Sequence, residues 1–394
     1  MTNIKSTRIQ SIDILRGLVM VLMALDHTRD YFHLGASTGS PTNLETTTPI
    51  LFFTRFITHY CAPVFVFLAG SSAFLYGSNK SKLQLFKFLF TRGIWLILLE
   101  IFINSLNWTF DYTYSFVVLQ VIWAIGISML ILSFLIWLPK QVILIIGIVL
   151  IAGHNLLDTI VMEGSSIKAT FWYILHQPNM VPLGENRLVY FAYPIIPWVG
   201  LIALGYCMGT LYSKHFNFEK RKMWLLGLGT ASIFLFIVLR TWNIYGDLTP
   251  WSIQDTTPKT ILSYFNVTKY PPSLAYLLIT IGPSLLFLCA IEKIKNKTTD
   301  FLLVFGRVPL FYYFLHIFII HIFAILGVVI FNENWQEILA NMSSRPIMGL
   351  AKHGYSLFVV YIIWIGIITL LYFPCKKYMT YKAGNKEKWW LSYL

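Results

Sequence analysis

An all-α, polytopic transmembrane helix bundle of about ten spans is what the sequence predicts, and three observations predict it. The chain is 57% hydrophobic and 17% aromatic over 394 residues, and only 12% of it is charged. Its mean hydropathy is +0.66. Its apolar residues fall into runs of about the length a helix needs to cross hydrocarbon.

Those runs are, in order, 12–32, 50–77, 84–106, 114–138, 141–161, 190–212, 222–241, 273–291, 303–330 and 354–374. No long polar linker, repeat or low-complexity tract divides them, so a single integral membrane domain over 1–394 is expected, with a cytoplasmic tail at 375–394. Three connections are long enough to fold over one face: His33 to Pro49, Asp158 to Val189 and Thr241 to Pro272. Long ordered loops often build sites.

The net charge of +13 follows the topology. With a cytoplasmic N-terminus, that side collects Lys5, Arg8, Lys80, Lys82, Lys140, Lys214, Lys220, Arg221, Lys222, Lys293, Lys295, Lys297 and the lysines of the tail. The opposite loops hold Lys168, Arg187, Lys259, Lys269, Arg345 and Lys352. This positive-inside asymmetry puts both termini in the cytoplasm and disfavours nucleic acid as the partner of the basic charge. The N-terminus mimics a secretory signal, yet Asp26 to Asp30 makes a poor cleavage site, and no cleavage is expected. Cys61, Cys207, Cys289 and Cys375 show no motif spacing, so neither disulfides nor zinc are expected.

Ionisable residues inside or at the edge of hydrocarbon are costly and mark places where they pair, face a cavity or do chemistry. The first span, SIDILRGLVMVLMALDHTRDYF, has them at both ends. Arg16 and His27 stand roughly 16 Å apart along its axis. Asp26, His27, Arg29 and Asp30 close it, and the three- and four-residue spacings let a carboxylate orient the imidazole as a general base. A hydrated helix end is the alternative. His316 and His321, five apart, are not the four-spaced zinc pair of a metalloprotease. Each can hydrogen-bond a neighbouring helix, or His316 can line a cavity. Arg55, His59, Gln120 and Trp198 fit interhelical hydrogen bonds. Arg16, Arg92 and Arg307 can bind phosphate or simply anchor the basic face. Arg240, Asn243, Asp247, Lys269 and Tyr270 can bind a polar ligand, or pin the loop that carries them.

The series R-x-x-SID-x-LRG, LMALDH-x-RDYF and APVFVFLAGSSAFL resembles the opening of the heparan-α-glucosaminide N-acetyltransferase-like membrane family. LQVIWAIGISM, YPIIPWVGLIALGY, RTWNIYGD, KYPPSL and FGRVPLFYYFLH resemble its bacterial branch, so the likeness covers essentially the whole chain. The first helix is also similar to that of acyltransferase-3 O-acyltransferases, which runs from an LRG motif to a functional histidine.

The resemblance implies an enzyme of the bacterial cytoplasmic membrane that moves an acyl group, acetyl above all, from cytoplasmic acyl-CoA to a carbohydrate outside. It places the catalytic histidine at His27, Arg16 at the conduit or CoA end, and Arg240 and His316 at the cavity wall. With the residue readings above, Asp26 or Asp30 is expected to orient His27; Arg16, Arg92, Arg307 and His316 to serve the CoA side; and Arg29, Arg240, Asn243, Asp247, Lys269 and Tyr270 to serve the acceptor. In the lysosomal enzymes an Asn stands where His27 falls, which keeps His33 as a second candidate base. The expected partners are membrane lipids, the acyl-CoA and the sugar, with self-association left open and no metal. A transporter or flippase for a polar substrate is the alternative reading.

Overall fold

The computed structural model describes residues 9–37, 39–213, 216–331, 336 and 354–392. Lys5, Arg8, Lys214, Arg345 and Lys352 of the charge asymmetry lie outside the described residues. Helix α1 is Gln10–Phe32, α2 Pro49–Thr58, α3 Cys61–Gly77 and α4 Lys82–Leu98. A π-helical turn, Leu99–Asn104, joins α4 to α5, Ser105–Thr109. Then follow α6 Val121–Leu135, α7 Lys140–Gly153, α8 Ile167–Leu175, α9 Ile195–Met208, α10 Phe218–Trp242, α11 Thr257–Phe265, α12 Leu274–Ile291, α13 Lys297–Arg307, α14 Pro309–Phe331 and α15 Leu357–Gly384.

The chain writes its helix starts in side chains. Thr48 accepts the Leu51 amide with Pro49 directly behind it, and Ser81 with Gln84 forms a reciprocal capping box. Asn217 and Ser273 accept the Lys220 and Tyr276 amides. Asn243 ends α10 in the left-handed conformation, φ 58°.

Among the described residues, seven helical stretches are long and apolar enough to cross a membrane: Pro49–Gly77, Lys140–Leu157, Ile195–Tyr212, Phe218–Trp242, Leu274–Ile291, Pro309–Phe331 and Leu357–Gly384. The other three expected segments differ for visible reasons. α1 carries Asp13, Arg16, Asp26, Arg29 and Asp30, and α4 carries Lys82, Lys87 and Arg92. The segment expected at 114–138 starts as a strand, Phe116–Leu119, and leaves α6 only 15 residues. That strand, β1, lies parallel to β3, Leu188–Phe191, which pairs antiparallel with β2, Asn179–Pro182. The apolar run FVVL thus closes a small sheet over the end of the bundle, with its partners in the long 158–189 connection. The segment at 303–330 is also broken, because Pro309 restarts the helix after Val308.

α1 is central, packed by α2, α3, α12, α13, α14 and α15. Paired glycines allow the closest approaches. A Cβ on Gly17 would sit 1.9 Å from the Leu302 carbonyl oxygen of α13, and one on Gly306 would sit 1.8 Å from that of Asp13. Gly70 and Gly205 relate α3 and α9 in the same way, with Cβ positions 2.1 Å from the Ile202 oxygen and 2.0 Å from the Phe67 oxygen. Gly93 with Gly126, Gly147 with Gly200 and Gly229 with Gly282 repeat the arrangement more loosely. Between helices bathed in lipid, such small-residue contacts and their dispersion energy replace the hydrophobic drive of water.

Gly205→Ala is expected to cost about 1–3 kcal/mol, because two backbones must separate. Gly227→Ala, where an added Cβ meets nothing within 4 Å, is expected to be neutral or mildly stabilising. Thermal unfolding of the two variants in detergent checks the contrast.

Candidate active site

Near the end of α1, His27 meets α14. Its Nδ1 lies 2.8 Å from Nε2 of His316, and Nδ1 of His316 lies 2.8 Å from the Tyr312 carbonyl oxygen. A carbonyl can only accept, so His316 donates from Nδ1, which leaves the Nε2 of a neutral ring as an acceptor. His27 must then donate from Nδ1. Its own Nε2 consequently carries the lone pair, the form a general base needs. The two rings stack with centroids 5.0 Å apart, and Trp108 stands edge-on to His27 at 4.8 Å.

Asp26 and Asp30 do not orient His27, contrary to expectation. Asp26 turns to the other flank of α1, where Arg55 Nη1 reaches both its oxygens at 2.6 Å, Thr58 donates at 2.8 Å and Arg29 stands at 2.7 Å. Arg29 also reaches Asp30 at 2.6 Å. The physical reason is charge. The buried guanidinium of Arg29 and the largely covered one of Arg55 claim the carboxylates more strongly than a neutral imidazole can, since an unpaired buried cation costs several kcal/mol.

Lys269 lies against this group, its ammonium 5.1 Å from the Tyr270 ring centroid. Burial raises the Tyr270 phenol, but Lys269 and Arg55 pull it down further, so it ends below its usual range. Tyr193, whose ring is 5.2 Å from that of Tyr270, is held well above its usual range by burial and by Tyr270 itself.

A second buried carboxylate braces the opposite wall. Glu100, fully buried in the π-helical turn, accepts the Gln120 and Trp123 amides at 3.0 and 3.1 Å, so it caps the start of α6. It also accepts from Asn104 at 2.8 Å, and Asn104 reaches the Tyr313 hydroxyl at 3.3 Å. The Tyr313 ring stands 6.4 Å from His27 and 5.7 Å from His316. π-turns of this kind recur at functional sites.

Tyr313 also lines a cavity of about 1230 Å³ that opens at the other end of α1. Among the described residues, Arg16, Arg92, Lys140, Arg307 and Lys382 line it with a single carboxylate, Asp13. Arg16 is held at 3.0 Å by Asp13 and 2.9 Å by Ser72, and Arg307 stands 4.0 Å from Asp13. One open cavity therefore has a basic mouth and an inner wall, at Tyr313, that reaches the layer of the histidines.

The remaining expected residues are placed differently. His316 does not line the cavity; it is fully buried with both ring nitrogens engaged. His33 accepts the Gly35 amide at 3.1 Å in its own turn. Burial and then Arg29 hold its imidazole below the usual range. Arg240 spends its guanidinium on four carbonyls, those of Tyr264, Thr249, Ser263 and Asn266, each at 3.0 Å. Asn243 clasps Trp251 through both backbone groups, and Asp247 accepts from Thr249, Thr268 and Ser273. These three pin the loop, while Lys269 and Tyr270 are the part of it that faces Asp26. His321 donates to the Asn107 carbonyl at 3.0 Å, the interhelical role open to it from sequence.

Arg55, Tyr313 and Glu100 were not singled out as site residues. A lone Glu in LLEIFINSLNW was the available signal, as an acid inside an apolar run; for Tyr313 no periodic signal existed.

Asp26→Asn takes the carboxylate from Arg55 and leaves the buried Arg29 with Asp30 alone, and is expected to cost about 3–5 kcal/mol. Asp30→Asn, whose side chain is 34% exposed, is expected to cost about 1 kcal/mol or less. Chemical denaturation of the detergent-solubilised variants distinguishes the two.

The family model described as heparan-alpha-glucosaminide N-acetyltransferase, catalytic, matches residues 8–245, and the chain belongs to that family. Its apolar helices and this membership make it a multi-pass membrane acetyltransferase in kind. No curated protein matches it.

Proposed function

We propose that this member of the heparan-alpha-glucosaminide N-acetyltransferase family takes an acetyl group from acetyl-CoA bound in the Arg16 cavity and delivers it to a carbohydrate amine or hydroxyl at the His27 end. The observation that carries the reading is the cavity itself: basic at its mouth, about 1230 Å³ in volume, and walled at its inner end by the tyrosine that touches both histidines. Phosphates suit the forked donors of Arg16, Arg92 and Arg307, with Lys140 and Lys382 adding charge. The positive-inside pattern turns this mouth to the cytoplasm, where CoA thioesters are made, and the reading places the chain in the bacterial cytoplasmic membrane.

At the other end, Nε2 of His27 receives the proton of the acceptor O–H or N–H as that atom attacks the thioester carbonyl carbon. The C–S bond breaks, and the CoA thiolate recovers the proton from the imidazolium. His316 accepts from Nδ1 of His27 throughout, so it fixes the tautomer and steadies the transient positive charge. Arg29, Asp30, Lys269 and Tyr270 offer polar groups to the sugar, and Asp26 sets their field through its two guanidiniums.

His27→Ala is expected to lower acetyl transfer from acetyl-CoA to a panel of amino sugars and glycans by about 10²–10⁴-fold. Wild-type turnover in that variant would sink the assignment of the base. Arg307→Ala is expected to raise KM for acetyl-CoA with kcat little changed, as loss of ground-state binding alone does. Steady-state kinetics of purified protein reads both.

A further inference from the structure

Away from the histidine pair, a second polar cluster lies where α7 ends and the long 158–189 connection returns. His154 follows α7 in a 3-10 turn, Asp158 caps that turn, and His176 caps α8. One ligand atom from each lies within 4.8 Å of the other two. Nε2 of His176 is already 3.0 Å from Oδ1 of Asp158, against about 3.3 Å between neighbouring donors of a tetrahedral zinc ion. The imidazoles of His154 and His176 face each other edge to face at 5.5 Å.

The cluster is buried, with His154 2% and His176 3% exposed. Even so, neither ring nitrogen of His154 has a hydrogen-bond partner, nor has Nδ1 of His176. The Pro272 carbonyl lies beside His154, without hydrogen-bonding geometry. Burying an imidazole with both nitrogens unpaired costs free energy that a folded chain rarely leaves uncompensated. The second oxygen of Asp158 is oriented by Asn155, at 2.8 Å. Asn155 in turn accepts the Leu274 amide, at the first turn of α12. That is the outer layer of hydrogen bonds that metal-binding carboxylates carry.

From this juxtaposition we propose a divalent transition-metal site, best suited to zinc, made by His154, Asp158 and His176, with a fourth position left for water. Two imidazoles and a carboxylate are the donor set zinc accepts. The role is positional. The ion ties the end of α7 and the 158–189 connection together, and through Asn155 it steadies the start of α12, directly after the Lys269–Pro272 turn that faces Asp26. Neither the cysteines nor the His316–His321 spacing, on which no metal is expected, involves these three residues.

The test uses full-length protein purified in detergent on a tag without histidines, stripped with a chelator, reloaded with zinc or cobalt and desalted. About one zinc per chain by elemental analysis is expected, together with visible cobalt d–d absorption and a higher melting temperature on zinc addition. Zinc, cobalt bands and thermal shift are all expected to disappear in His154→Ala and in His176→Ala. Asn155→Ala is expected to weaken zinc binding by about 10–100-fold. Size-exclusion profiles and circular dichroism matching the wild type show that a variant has folded. Asp158→Asn serves as the near-isosteric variant if either alanine variant fails that standard. Wild-type protein that retains no more zinc than the folded variants, or shows no cobalt bands, overturns the site.

Discussion

Everything near the centre of this bundle depends on how one buried carboxylate is neutralised. Asp26 sits in α1, a helix packed by six others, with its side chain only 10% exposed. Arg55 from α2, Arg29 from its own helix and Thr58 supply the compensation. Because those partners come from one flank, the neighbouring residue of α1 is turned to the opposite flank and into α14. The ion cluster and the histidine pair are therefore two consequences of a single helix rotation. A charge that must be paired fixes where an uncharged base can stand.

The same helix separates two kinds of polarity. At the Arg16 end the charges border an open cavity and leave room for an anionic ligand. At the His27 end they are packed out, and only polar edges remain for an acceptor. Tyr313 belongs to both regions, and the Glu100–Asn104 brace holds its hydroxyl. The proposed transfer rests on this contrast: roominess where a large donor would enter, and a buried, ordered layer around the proposed base. The glycine contacts serve the same end, because they bring backbones close enough for side chains on facing helices to meet at hydrogen-bond distance.

How much of this was legible in the chain varies residue by residue. The helical, membrane-spanning character was, because long apolar runs act locally; the limits of the helices were not, since 114–138 starts as a strand and 303–330 is broken at Val308. His27 and Arg16 stood out because charge in hydrocarbon is costly. The partners did not stand out. Nothing in the spacing of Asp26, His27 and Asp30 reveals that Arg55 outcompetes the imidazole for the carboxylate, and a three- or four-residue spacing only permits a contact. Arg240, Asn243 and Asp247 read equally well as ligand groups or loop pins until four carbonyls were seen around one guanidinium. FVVL at 116–119 read as membrane because a buried strand and a spanning helix share the same apolar composition.

From the sequence alone came a multi-pass helical membrane protein, its family, and a first helix with ionisable groups at both ends. Those follow from hydropathy and motif order, both properties of short stretches. Packing alone settles that His316 rather than an aspartate holds His27, that Tyr313 stands between the cavity and His27, and that His154, Asp158 and His176 come together. Hydrogen bonds select partners by angle and distance, and residues 289 positions apart acquire those only when the helices pack.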